Sequence, residues 1–140
     1  MKNVLGFVFV AASMMLASSV QAQEYRLKAD VPFDFVIDNQ IHKAGNYDIR
    51  KLTPNSNLLV VESKSESKST IVSPHPCAER AWAKTTKLVF HRSGDAYFLY
   101  QVWVQGRQFG SEFSTPKMET RLAQNGTKSE DVIVAAVLEH

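Results

Sequence analysis

The chain has 140 residues, 16 Lys and Arg against 14 Asp and Glu, and one cysteine, Cys77. A charge balance this close to zero, with the basic residues spread among acids, excludes a nucleic-acid or anionic-membrane surface as the organising feature. A lone cysteine excludes a disulfide framework, so the fold must rest on an apolar core, with Cys77 buried, free or paired to another chain and burial favoured.

Lys2 precedes an uncharged apolar stretch from Val4 to Ala17, followed by small and polar residues up to Ala22. A basic start, a short apolar run and a small-residue boundary predict a secretory signal peptide over 1–22, cleaved after Ala22; a membrane anchor would need a longer apolar stretch. No cysteine stands at that boundary to support lipoprotein processing. Removing 22 of the 140 residues leaves 118, one β-rich domain over 23–140 with a single core.

From Tyr25 the odd positions Leu27, Ala29, Val31, Phe33, Phe35 and Ile37 are apolar, and the even ones include Arg26, Lys28, Asp30 and Asp34. A period of two predicts a long strand with one buried face, and Pro32 places it at a sheet edge or makes it bend between sheets. Asp38-Asn39-Gln40 reads as a turn, Ile41–Lys43 as a short strand, and Ala44-Gly45 as a turn into a strand that buries Tyr47 and Ile49. After a loop over 53–57, strands are expected at Leu58–Val61 and Ser69–Ser73. The charged, serine-rich run from Glu62 to Lys68 forms an exposed hairpin tip between them. Ser73-Pro74-His75-Pro76 breaks the pattern, and Cys77–Thr86 fits a helical turn as well as an irregular strand.

Lys87–Arg92 and Tyr97–Gln105 flank Gly94-Asp95, whose two-residue loop suits a hairpin. Simple alternation puts Leu88, Phe90, Leu99 and Trp103 on one face and Val89, Phe98, Tyr100, Val102 and Val104 on the other. Both faces are apolar, so this hairpin is expected at the centre of the fold and covered on both sides. The strand signal stops after Gly106. Thr115-Pro116 ahead of Lys117–Gln124, with Asn125-Gly126 beyond, predicts a short helix that packs Met118, Leu122 and the stem of Arg121 on the sheet. Val132–Leu138 is too short to span a membrane and reads as a buried last strand. Together these elements predict an all-β fold: one antiparallel β-sandwich or small β-barrel of about seven or eight strands with one short C-terminal helix.

No catalytic constellation stands out. His42, His75, His91 and His140 are scattered, no Gly-x-Ser-x-Gly elbow or phosphate-binding loop is present, and acidic residues occur singly along strands. His75-Pro76-Cys77 is the one close pair of soft ligands, with Met118 as a distant helper, so a weak copper or zinc site is one alternative. Tyr97, Tyr100, Trp82, Trp103 and Phe98 could line a cavity for a small apolar ligand inside a barrel, a second alternative. No catalytic, cofactor-binding or metal residue is assigned and no cofactor is expected.

Val31-Pro32-Phe33-Asp34-Phe35, the Ala44-Gly45-Asn46-Tyr47 turn, and Leu88–Arg92 with Gly94-Asp95 and Tyr97–Trp103 resemble a family of small exported bacterial proteins of unknown function. The resemblance covers most of the mature chain, is most specific in the hairpin, and implies a secreted β-rich domain with no activity to carry over. The expectation is therefore a periplasmic or extracellular non-enzymatic protein, a structural or surface-binding envelope module with an unidentified partner.

Overall fold

A computed structural model describes residues 25–140; the expected signal peptide and its cleavage point lie outside the described residues. The elements run β1 (Arg26–Val31), β2 (Phe35–Ile37), β3 (Gln40–His42), β4 (Gly45–Lys51), β5 (Leu59–Ser63), β6 (Lys68–Val72), β7 (His75–Ala78), β8 (Lys87–Ser93), β9 (Ala96–Trp103), β10 (Phe109–Glu112), α1 (Lys117–Gln124) and β11 (Ser129–Glu139). The class is all-β, but the described residues form eleven strands, not seven or eight. Pro32 splits the first predicted strand into β1 and β2, while β7 and β10 carry too many prolines or glycines to show a period-two pattern.

Hydrogen-bonded neighbours follow the order β3-β2-β9-β8-β11-β1-β4-β5-β6, a sheet curled into a half-barrel, with β10 along β9 and β7 along β10. All pairs are antiparallel except β2 with β9, which meet in parallel at Val36 and Phe98. Before Pro32 the chain pairs with β4 and β11; after it, with β3 and β9. The proline thus marks a bend that carries the chain across the curl. Asp38 and Asn39 adopt φ of 48° and 61°, the left-handed pair that a two-residue turn between β2 and β3 requires. Among the described residues no helix is long and apolar enough to cross a membrane.

The β8–β9 hairpin forms as expected at its tip, where Arg92 faces Tyr97, His91 faces Phe98 and Phe90 faces Leu99. Further along, the register differs from simple alternation. Val89 faces Gln101 and Leu88 faces Val102, so Tyr100 is an extra residue on β9, a β-bulge. The bulge reverses the faces beyond it. Val102 and Val104 join Leu88, Phe90 and Leu99 in the inner core, and Trp103 turns outward onto Val89 and Ala83. Both faces of the hairpin are covered. The inner core also takes Leu27, Val31, Phe35, Tyr47, Ile49 and Val61, and the outer layer is closed by Cys77, Ala83 and Tyr100.

The segment between β7 and β8 is neither helix nor strand beyond Ala78. Main-chain bonds fasten it over Trp103: Ala83 N–H donates to the Arg107 carbonyl and Gly106 N–H to the Ala83 carbonyl, each at 2.9 Å. Trp82 stays exposed. Cys77 is half-buried and unpaired.

Two expectations for the C-terminal third need correction. Helix α1 spans the predicted residues, but its buried side chain is Glu119, at 7% exposure, whereas Met118 points outward at 46%. The cap differs by one position as well: Pro116 is the N-cap, not the first helical residue. Strand β11 alternates, with Val132, Val134, Ala136 and Leu138 against the core and Ile133 and Val137 exposed at 62% and 64%. It is buried on one face only. Accordingly, Phe90→Ala, which empties the inner core, should lower unfolding free energy by about 3–5 kcal/mol. Ile133→Thr should change it by less than about 0.5 kcal/mol, both read from urea denaturation. Equal losses at the two positions would contradict the one-sided burial of β11.

Candidate functional site

The polar groups gather on the outer face of β8 and β9, under and beside α1. His91 lies on β8, where alternation points it away from the inner core, and its ring stacks on Tyr100 with centroids 3.8 Å apart. Its Nδ1 is 2.6 Å from Glu119 Oε1, and its Nε2 is 3.6 Å from Asp131 Oδ1 on β11, the residue directly across the ladder. Carboxylates therefore flank both ring nitrogens. Tyr100 keeps the face that alternation gives it, the one shared with Phe98 opposite His91.

A second chain of bonds runs along the other side of Tyr100. Trp103 Nε1 donates to Gln101 Oε1 at 3.0 Å, and Gln101 Nε2 donates to Glu112 Oε2 at 2.8 Å. Burial, first, and the hydrogen bond with the Glu112 carboxylate push the Tyr100 phenol above its ordinary value. Gly110 is fixed by this arrangement, since a Cβ there would lie 2.8 Å from the Trp103 ring and 2.9 Å from the Val102 carbonyl oxygen. The aromatic and polar groups of the outer layer thus satisfy one another, which is what buried hydrogen-bonding groups require.

His75 and Cys77 point to the same side of β7 but do not form a ligand set. His75 faces Glu112 across the ladder and its Nε2 is 3.5 Å from Ser114 Oγ, while Cys77 packs towards Trp103 and Ala83. Burial, and next the charge of Glu112, push the Cys77 thiol up, away from the thiolate that a metal or an acyl group would need. Among the described residues no group of three His, Cys, Asp or Glu side chains converges on a metal position.

The five aromatics proposed to line a cavity divide between opposite sides of the sheet. Tyr97 stacks on Phe33 at 3.8 Å and packs on the inner core, whereas Trp103 and Tyr100 belong to the outer layer and Trp82 is exposed. A cleft of about 150 Å³ reaches the inner layer beside Leu59, Val102 and Val104, where the Arg107 guanidinium lies 4.7 Å from the Tyr25 ring centroid. That volume is below the roughly 300–1,000 Å³ of ordinary ligand pockets.

A buried carboxylate and a buried imidazole lie elsewhere. Asp48 on β4 is nearly inaccessible and draws on Lys64 at 3.1 Å and Arg26 at 3.6 Å. His42 closes β3 with 1% exposure, packed on Phe35 and Tyr47, and its Nε2 has no hydrogen-bond partner. Burial, first, and the charge of Lys68 depress its pKa, against an opposing pull from Glu66.

Glu119, Asp131, Glu112 and Gln101 are missing from the sequence reading, which named His42 only among scattered histidines. For Glu119 a signal existed: it lies three residues before Leu122, on the same helix face. Compared with protein-family models, with curated proteins and with solved structures, the chain matches none.

Removing the carboxylate under α1 should therefore be costly. Glu119→Ala is expected to lose about 1–3 kcal/mol in urea denaturation, the cost of leaving a part-buried imidazole without its partner. Met118→Ala should lose less than about 0.5 kcal/mol, and equal effects would show that the His91 contact holds nothing. His42 predicts a pH dependence. Its folded pKa lies below the ordinary 6.5, so its contribution is complete above that value and is lost as pH falls through the folded pKa. In His42→Phe that part of the acid-side slope of unfolding free energy should vanish; an unchanged slope would refute the assignment.

Proposed function

We propose that this protein is an exported, non-enzymatic β module of the bacterial envelope or extracellular space that acts by holding a partner on its surface. The observation that carries this reading is the state of its most reactive groups. His91, Glu119, Tyr100, Glu112 and Gln101 are engaged with one another, and the single thiol is held protonated. Such a network positions α1 on the sheet and offers no nucleophile beside a free base. Rigid strands meanwhile present apolar side chains to solvent, Ile133 and Val137 along one face of β11 among them. Apolar groups aligned on a fixed scaffold are the usual material of a contact surface.

The basic start and apolar run before Gln23, together with the resemblance to small exported bacterial proteins, support the location. The carrier alternative retains one foothold, the cleft beside Leu59, Val102 and Val104. The metal alternative has only the His75 and Cys77 pair, which points to different neighbours.

Expression of the full chain in a bacterium, followed by fractionation and mass determination, tests the reading. The expected product is found outside the cytoplasm and begins at Gln23. A full-length cytoplasmic product, or turnover by the purified protein in a hydrolase and oxidoreductase panel, would overturn it.

A further inference from the structure

The half-barrel has two free edges, β3 and β6, at the ends of its strand order. Among the described residues β3 hydrogen-bonds only to β2 and β6 only to β5, and no other main-chain bond reaches either strand. These edges border the same opening. Asp38, just before β3, and Val72 and Ser73, at the end of β6, line one cavity of about 110 Å³ together with Phe113 and Ser114 from the segment after β10. At the opposite end the charges of Lys68 and Glu66, where β6 begins, reach His42, where β3 ends. The strand order makes β3 and β6 antiparallel to each other, in agreement with those two juxtapositions.

Side chains repeat the pattern on both borders. His42, Thr70 and Val72 point inward and are buried, whereas Ile41 and Ile71 point outward and are 64% and 55% exposed. The inward rim holds an orphan: His42 Nε2 is buried without a hydrogen-bond partner. Lys43 follows β3 at the same end but is paired with Asp34 at 3.1 Å, whereas Lys68, which opens β6 near Glu66, makes no ion pair among the described residues. Free main-chain groups on each border, at Ile41 on β3 and at alternate residues of β6, with apolar side chains outside and the unpaired Lys68 ammonium at one end, are complementary to a single kind of occupant.

We propose that the seam between β3 and β6 is an acceptor slot for an extended strand of another polypeptide, apolar at alternate positions and carrying a carboxylate at the end that meets Lys68. The inserted main chain bonds to both edges and covers the rim beside His42. Its outward side chains cover Ile41 and Ile71. The slot gives the surface-binding module its binding surface and rests on that reading.

The probe is a synthetic peptide of alternating valine and threonine ending in glutamate, added in excess to the purified protein while amide exchange is followed residue by residue. Exchange at Ile41 and at the β6 amides that face away from β5 should slow by about tenfold or more, and a version with proline at alternate positions, lacking those donors, should have no such effect. Ile41→Lys with Ile71→Lys, both exposed, should keep the melting temperature and weaken the peptide at least about tenfold. Lys68→Glu should weaken the glutamate-ended peptide and favour a lysine-ended one. No slowing at either edge, slowing confined to other strands, or equal slowing by the proline peptide would overturn the slot. None of these results bears on export, so fractionation separates a failed slot from a failed functional reading.

Discussion

The bulge at Tyr100 is the constraint on which the two-layered arrangement depends. A regular β9 would send Trp103 inward and Val102 and Val104 outward, and the inner core would have to hold an indole where it now holds two valines. One extra residue exchanges them. The branched side chains then fit against Leu88 and Phe90, and the indole, which needs a partner for its N–H, moves to the face where Gln101 can accept it. The same displacement turns Gln101 outward, where its amide also meets Glu112. Packing inside the curl and polar order outside it thus follow from one irregularity.

Polar contacts explain how so short a helix holds its place. Helix α1 has eight residues, too few to be stable alone, and contributes little apolar area, with Leu122 only half-buried and Met118 in solvent. Its attachment relies on Glu119 reaching His91 at 2.6 Å and on the bond from Lys117 N–H to Asn39 Oδ1 at 3.2 Å. Beneath it Phe98 and Val36 are buried, the pair at which β2 joins β9 in parallel. A polar clamp and an apolar patch therefore meet at the weakest pairing in the sheet and cover it.

Much of the scaffold was legible because it follows period-two alternation and turn chemistry. The split at Pro32, the Asp38-Asn39 turn, the exposed tip after β5, the hairpin loop and the limits of α1 all come from local rules, and Tyr47 and Ile49 are buried as their positions demand. What escaped depends on neighbours distant in sequence. A bulge leaves no mark in composition, so the faces of Val102, Trp103 and Val104 came out inverted. Strand β10, Phe109–Glu112, is half glycine and serine and is a strand because β7 and β9 lie beside it. Burial of Glu119 follows from where His91 stands across 28 residues of chain, and a helix face scored by hydrophobicity alone selects Met118 instead. An apolar run such as Val132–Leu138 cannot by itself report whether one face or two will be covered.

Why the curl stops short of closing is written in residues 73–76. Around the strand order β3 and β6 have opposite directions, so nothing in their polarity forbids an antiparallel pair. Pro74 and Pro76 remove donors just beyond β6, and the chain leaves that edge for β10, which it joins from His75 to Ala78. The far half of β9 is thereby occupied by β10, and only its near half is left for β2, which accounts for the short β2–β3 hairpin and its single parallel bridge. A three-residue β3 is too brief to fasten a barrel by itself, and shortness together with Lys43 and Lys68 at the rim is how native sheets discourage indiscriminate edge pairing. The same features leave two antiparallel edges unpaired among the described residues, with Ile41 and Ile71 exposed along them.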